Sequence, residues 1–369
     1  MFLFRWIIFR IMVGAGMIKI RGDNCWRDLT CMYWFHETQP IPNAVAYFMH
    51  NSPKIFLVAE TLVNHFVELV VPWFMLMPSV YCVRFAGVVQ IAFMIAIYVS
   101  GNLSFLNVLT MVPSLACLDD GFFEMMKNKL NFRKNRQQKY QKIDSKSIDT
   151  PNNLQSYIYS NLPSSYLQKT SDLLILSTIA YLSIPVVRNL FSRAQIMNTN
   201  FDTFKIVNTY GAFGSVTKER YEIIIYGTTA EQLDGSENWI EYEFNCKPGK
   251  VDQIPCQVAP YHYRLDWLMW FAAFGNQSWR SHTWFLSLVL KMLRNDRVLL
   301  EGLMWKVPAG EVKFVKAKRF VYNFGESDWW KREEATWEDM YLPVMDLKGI
   351  ERLLGQYPVF EHWLQAENH

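Results

Sequence analysis

Lys19-Ile-Arg-Gly-Asp-Asn-Cys-Trp-Arg-Asp-Leu-Thr-Cys31, followed by Met32-Tyr-Trp-Phe-His-Glu-Thr-Gln-Pro-Ile-Pro-Asn43, decides how this chain reads. It sets Lys19, Arg21, Asp23, Arg27, Asp28, His36 and Glu37 among aromatics and two cysteines. An apolar helix runs into it, and a Pro-x-Asn turn signal leads out to the next apolar stretch. A plain loop would be richer in Gly, Ser and Asn, and a plain membrane helix would exclude the charges. The pattern predicts a structured polar element held at a membrane surface, with Lys19, Arg27, Asp28, His36 and Glu37 as its ionisable groups.

Working outward, the preceding segment Phe2–Ile18 is apolar but carries Arg5 and Arg10. Arg10 spoils the unbroken apolar centre that a signal peptide needs. A membrane helix whose charges face a bundle interior fits better. Downstream come Ile55–Met77, Val80–Ser100, the shorter Leu103–Leu118 with Pro113, and Leu173–Leu190 with Pro185. Ile55–Met77, Val80–Ser100 and Leu173–Leu190 stand out as full spans at 1.5 Å per residue. Leu103–Leu118 reads as a kinked or partly inserted helix.

The 369 residues suffice for two domains. Hydrophobic residues make up 51% and aromatics 16%, with 14 Trp and 26 Phe, more than one water-soluble core needs. Trp and Tyr in such numbers suit membrane interfaces. A net charge of +3 is too small to argue for nucleic acid. Its distribution says more: Lys127, Lys129, Arg133, Lys134, Arg136, Lys139, Lys142 and Lys146 face only Asp144 and Asp149. A solvated basic loop between membrane helices stays cytosolic. The last helix then carries everything after Phe191 to the other side, the ER lumen in a eukaryotic secretory membrane. The 19–43 segment shares that side provided that Leu103–Leu118 crosses.

After Phe191 no run of membrane length remains. Tyr221–Tyr226, Trp239–Phe244 and Val312–Tyr322 mix β-branched and aromatic residues between turn signals, and Arg264–Phe274 and Thr283–Arg294 read as helices. The predicted fold class is an α-helical multi-pass membrane domain followed by a β-rich, sandwich-like lumenal domain with helical insertions. The expected boundaries are 1–125 for a transmembrane bundle with a polar loop at 19–54, 126–170 for the basic cytosolic loop, 171–191 for the last transmembrane helix, and 192–369 for the lumenal domain.

Six cysteines occur. Cys82 and Cys117 lie in or near apolar spans and read as buried thiols. Cys246 and Cys256 flank a polar, turn-rich loop; a disulfide closing it contributes roughly 2–3 kcal/mol in the chain-entropy view, in an oxidising compartment. Cys25 and Cys31 match neither CxxC nor a zinc spacing, and a local disulfide and two thiols both stay open. Asn102-Leu-Ser and Asn276-Gln-Ser fit the N-glycosylation pattern. Asn276 is the candidate acceptor, Asn102 being too close to a span.

Glu60, Asn64 and Glu68 recur at i, i+4 and i+8, with Thr61 and His65 beside them. Such an intramembrane polar stripe lines a pocket or pairs with another helix, for instance through Arg5, Arg10 or Arg84. His36-Glu37 and Arg27-Asp28 could supply acid–base groups or cap a helix with salt bridges. There is no GxSxG, HExxH, P-loop or GxGxxG, so no catalytic residue, metal site or cofactor is assigned. Tyr261, His262, Arg264, Asp266, Trp267 and Trp270 open a helix that is apolar nearly all round after Asp266. It is a core helix, or it contacts a membrane or a client protein.

The stretches Gly14–Cys31, His36–Asn43, Asn64–Val70, Gly101–Asn107, Asn208–Glu222, Glu241–Gly249 and Ala259–Phe271 together resemble the lipase maturation factor family, in collinear order over nearly the whole chain. The resemblance implies a multi-pass ER membrane protein with a lumenal C-terminal domain. It further implies that the protein helps secreted homodimeric lipases fold and assemble, with those lipases as clients and ER membrane lipid around it. Family members extend further at the N-terminus, so an N-terminally short member is expected. The Lys19, Trp26, Asp28 block is also faintly similar to the membrane domain of vitamin K-dependent carboxylase-like proteins. That likeness motivates an alternative, a membrane-embedded enzyme whose pocket joins Glu60, Asn64 and Glu68 to the 19–43 segment.

Overall fold

The computed structural model describes residues 1–138, 166–274, 279–333 and 340–357, with side chains except at 130–138, 166–168 and 340. The chain divides into two compact units, one of Met1–Arg27, Leu62–Met94 and Leu109–Ser215, the other of Asp28–Thr61, Ile95–Val108 and Val216–His369. The polar segment, from Asp28 onward, is thus counted with the strand-rich unit.

The helices in chain order are α1 (Phe2–Arg21), α2 (Asn24–Arg27), α3 (Met32–Thr38), α4 (Ala44–His50), α5 (Lys54–His65), α6 (Val71–Phe74), α7 (Val80–Ser100), α8 (Leu106–Ser114), α9 (Asp120–Gln138) and α10 (Tyr166–Phe191). Lys54–Phe74, Val80–Ser100 and Lys169–Phe191 are long and apolar enough to cross a membrane. These are the three spans that hydropathy singled out. Leu106–Cys117 is apolar but shorter.

Side-chain pairs fix the direction of each helix in the first unit. Phe9 of α1 meets Trp73 edge-on at 5.0 Å, while Lys19 reaches Asn64 and Glu68, so α1 runs against α5–α6. Phe74 meets Phe85, and Gln90 bonds the Val67 carbonyl, so α7 runs against α5–α6 as well. Arg84 pairs with Asp119, and Gly87 backs onto Cys117 and the Ser114 carbonyl, so the chain up to Asp119 runs back along α7. In α10, Ser183 meets Trp6 and Leu190 lies beside Gly14, which makes α10 parallel to α1.

Polar groups of this unit point inward. Arg10, Lys19, Asn64, Glu68 and Gln90 are buried, whereas Leu62, Val63, Phe66, Phe85, Leu173 and Leu174 are exposed. A water-soluble protein has the reverse arrangement; in a bilayer it is expected, since charges there must face the interior. Arg5 and Arg10 each donate to a backbone carbonyl, those of Ala116 and Asn208.

The second unit contains β1 (Arg220–Thr228), β2 (Ile240–Glu241), β3 (Glu243–Phe244), β4 (Met304–Lys306), β5 (Phe314–Phe324), β6 (Trp330–Glu333) and β7 (Met340–Met345). It also holds α11 (Arg264–Ala272), α12 (Thr283–Leu293), α13 (Arg297–Leu303) and α14 (Leu347–Leu354). The order β2-β1-β5-β6, with β7 also pairing β5, makes an antiparallel sheet, and β3-β4 a second one. The three expected strand regions and two expected helices are present. The 239–244 stretch is split between the two sheets around Tyr242.

Because side chains alternate along a strand, β1 has two unlike faces. Ile223 and Ile225 join the main core with Met269, Phe285, Leu286 and Leu290. On the other face Ile224 packs with Phe320, Tyr322 and Trp330, and Arg220 and Glu222 share that face by alternation. α12 is the keystone of the core, with Phe285, Leu286, Val289, Leu290 and Met292 fully enclosed.

Close helix packing generates a first prediction. A Cβ on Gly87 would stand 2.6 Å from that of Cys117, whereas one on Gly302 meets nothing. Gly87→Val should cost about 1–3 kcal/mol through overpacking and reduce the monodisperse fraction in detergent size-exclusion chromatography. Gly302→Ala should leave the profile unchanged.

Candidate functional site

Two polar clusters carry the residues of interest, one in each unit. The first begins with Pro72, which lacks an N–H and whose ring crowds the carbonyl four residues earlier, that of Glu68. The helix opens into a π-turn over Phe66–Val70 before α6 resumes. Gln90 donates its amide to the Val67 carbonyl within that turn, at 2.8 Å.

Glu68 and Asn64 are met by Lys19 from the end of α1, its Nζ lying 2.7 Å from Glu68 Oε1 and 3.0 Å from Asn64 Oδ1. Asn64 Nδ2 donates to Glu68 Oε2 at 3.1 Å. The ammonium also sits 4.7 Å from the centre of the Trp26 ring. Trp26 is held by its own indole N–H on the Phe213 carbonyl, while His65 Nε2 bonds the Trp26 carbonyl at 2.9 Å. Lys19 and Glu68 are each only 6% exposed. Such a closed triangle neutralises two buried charges and ties α1 to the π-turn; it offers a base or nucleophile only if the pair opens.

The second cluster surrounds His36–Asn43, all eight of whose residues are buried. α3 ends at Thr38, so its last carbonyls lack helical partners, and Pro40 and Pro42 bring no N–H. Side chains supply the missing donors. The His36 carbonyl accepts from Gln39 Nε2, that of Glu37 from Arg220 Nη1, that of Thr38 from Trp270 Nε1, those of Gln39 and Pro40 from Arg220, and that of Ile41 from Asn102.

Arg220 is itself held by Glu222 at 2.5 Å, and Lys247 lies 2.8 Å from the other Glu222 oxygen, all three nearly solvent-free. The Glu37 carboxylate accepts the Phe324 N–H. Burial pushes the Glu37 carboxyl above the ordinary glutamate value, against the opposing pull of that N–H and of Arg220. His36 Nε2 meets Glu60 at 2.9 Å.

Asn102 is saturated as well. It donates to the Ile41 and Cys256 carbonyls and accepts from the amides of Val258 and Ala259. Asn43 caps α4 through the Ala46 N–H and donates to the Val99 carbonyl. Cys246 and Cys256 form a disulfide, and the amides of Cys246 and Lys247 donate to Asp266 at 2.8 and 2.7 Å. Cys25 and Cys31 are also oxidised, whereas Cys82 and Cys117 are free thiols.

The sequence-predicted residues are thus distributed unevenly. Of the stripe, Glu60 meets His36, while Asn64 and Glu68 meet Lys19 rather than Arg5, Arg10 or Arg84. Lys19 belongs to α1, not to the polar segment, because the helix continues to Arg21. His36 and Glu37 are enclosed, while Arg27 and Asp28 are exposed. Asp266 is 1% exposed and works inward as an acceptor, and Trp270 uses its indole N–H on Thr38. Asn276 and most of the basic loop lie outside the described residues.

Sequence reasoning passed over Arg220, Glu222, Lys247 and Asn43, and weighed Asn102 only as a sequon. A signal existed: Arg220-Tyr-Glu-Ile-Ile-Ile225 puts two opposite charges on one face of an otherwise apolar strand, which calls for a buried partner.

These geometries yield two expectations. Because its carboxyl binds a proton more readily folded than unfolded, Glu37 favours the fold below its unfolded pKa and loses that contribution as pH rises through the folded value. Glu37→Gln keeps an acceptor for Phe324 and should remove this pH slope from thermal unfolding curves. Glu37→Leu orphans the amide and should cost about 1–3 kcal/mol. In the membrane unit, Lys19→Met or Glu68→Leu alone leaves a buried unpaired charge and should cost roughly 3–5 kcal/mol, while the double variant should recover folded protein in detergent.

Comparison with known proteins supplies the family context. The model of the lipase maturation factor transmembrane domain matches residues 1–125, and that of the lipase maturation factor C-terminal domain matches residues 206–343. Lipase maturation factor 1 of Homo sapiens is 44% identical, over 94% of this chain and 60% of its own length. The Bos taurus protein is likewise 44% identical, over 94% and 62%. Lipase maturation factor 2 of Xenopus laevis is 25% identical, over 96% and 62%. The chain therefore spans about 60% of the length of the curated relatives it matches. No solved structure matches it.

Proposed function

Since the chain belongs to the lipase maturation factor family, we propose that it assists the folding and assembly of secreted homodimeric lipases at the ER membrane. The observation that carries this reading is the agreement of both family domains, in order, along one chain. The lipases are its clients, and it works as a chaperone-like factor rather than as an enzyme. The mutual saturation of Lys19, Asn64 and Glu68 supports an anchoring role for the membrane cluster over a catalytic one.

The helix directions support a topology. α1, α5–α6, α7, the run back to Asp119 and α10 alternate in direction, which supports a return of the chain through the segment ending at Asp119, of which Leu106–Cys117 is the apolar part. Lys127 and Lys129 then fall on the side opposite to everything after Phe191. Basic residues remain cytosolic, so the strand-rich domain and the segment after α1 are lumenal. Disulfides at Cys246–Cys256 suit that oxidising compartment.

The test is secretion. Cells lacking this protein should release lipase of normal amount but sharply lower activity, with the dimer depleted on sucrose gradients, and re-expression of the chain should restore it. Unchanged dimer and activity in the deficient cells would overturn the proposal.

A further inference from the structure

α11 is a helix of nine residues with two sharply different faces. Asp266, Met269 and Ala272 are buried, and Ala273 just beyond the helix end continues that side. The opposite stripe runs Arg264, Trp267, Leu268, Phe271, Phe274, at helical spacing, and is exposed or half-exposed throughout. Its rings touch in series: Trp267 to Phe271 at 6.4 Å and Phe271 to Phe274 at 6.0 Å. Tyr261, 63% exposed, precedes it and stacks edge-on with Tyr263.

The position of this stripe is set by the last turn of α7, Ile95 to Ser100, which belongs to its own unit. Tyr98, in the last turn of α7, donates its hydroxyl to the Ala259 carbonyl at 2.8 Å. Asn102, just past the end of α7, holds Cys256, Val258 and Ala259 by three hydrogen bonds already described. From Ala259 to Arg264 the chain spans at most about 17 Å. At the far end Trp270 is fixed to Thr38. α11 is therefore held close to the level at which α7 leaves the hydrocarbon, and Ile95 and Val99 of α7 are themselves exposed apolar residues there.

We propose that α11 lies in the surface of the bilayer, with lipid as the occupant of its Trp267–Leu268–Phe271–Phe274 stripe. Indole and phenyl rings prefer this depth, and a helix with one apolar and one inward face lies flat at the headgroup boundary. Arg264, at one end of the stripe, has the long stem needed to bury methylenes and place its guanidinium among phosphates. The strand-rich domain is thereby pinned to the leaflet at a second point besides its covalent links to α7. A client-binding surface would instead leave this aromatic stripe in water whenever the client is absent, and the hydrogen bonds to Tyr98 and Asn102 hold it where lipid is at hand.

The experiment uses the full chain in nanodiscs, with Cys82 and Cys117, the free thiols, replaced by Ala. An environment-sensitive fluorophore is attached at Phe271→Cys and, as an aqueous reference, at Val298→Cys, a position 89% exposed on α13. In phosphatidylcholine brominated high on its acyl chains, the label at position 271 should lose most of its emission while remaining shielded from iodide. The label at 298 should show the opposite response. Iodide quenching at 271 equal to that at 298 overturns the proposal, as does insensitivity of 271 to both quenchers, the signature of a protein surface covering the stripe. Neither readout depends on lipase, so this outcome is separable from the secretion assay.

Discussion

A run of backbone carbonyls from His36 to Ile41, placed where no helix or strand can bond them, is the constraint on which the strand-rich unit depends. The end of α3 and two prolines create the deficit, and burial makes it expensive, since an unpaired buried polar group costs about 1–3 kcal/mol. The unit meets it with side chains from four separate places: Gln39 in the segment itself, Asn102 after α7, Arg220 on β1 and Trp270 on α11. Arg220 is suited to this because a guanidinium has five donors in a rigid fork; all five serve the carbonyls of Glu37, Gln39 and Pro40 or the Glu222 carboxylate at once. Lysine could not span the same acceptors. The Glu222–Lys247 pair then keeps the charges balanced on a face of β1 that is otherwise apolar.

The membrane unit solves a related problem with fewer parts. A proline forces a π-turn, the turn exposes a carbonyl and presents a carboxylate, and Gln90 and Lys19 answer each. Gly16 makes the second answer reachable, for a Cβ there would collide with Leu69 at 2.5 Å. Close helix approach, a local helix defect and a buried ion pair are thus one arrangement. Each would be unfavourable alone.

Much of this was legible in the sequence. Hydropathy located the three full spans, β-branched and aromatic runs between turn signals located β1, and an approximate alternation located the long strand β5, because these signals come from local burial. The polar character of 19–43 and the enclosure of an Arg10-bearing helix followed from the expense of charge in lipid. What stayed hidden were the pairings. The partner of Glu68 lies 49 residues away in sequence, and that of the Glu37 carbonyl 183 residues away; no periodicity reports such distances. The role of Asp266 stayed hidden for the same reason, since the Cys246 and Lys247 amides it accepts from lie 20 and 19 residues away. The short helices α13 and α14 and strands β6 and β7 carried too few residues for a pattern.

Asn102 shows how far a fully used side chain constrains the life of the molecule. It heads an Asn-Leu-Ser sequon, and the nitrogen that would carry a sugar is the same Nδ2 that donates to Ile41 and Cys256. A sugar linked there would leave that nitrogen a single hydrogen for two carbonyls and would need space where the residue is 1% exposed. Glycan and native packing therefore compete for one atom. The native packing of Asn102 thus closes a sequon that its closeness to the end of α7 already disfavours.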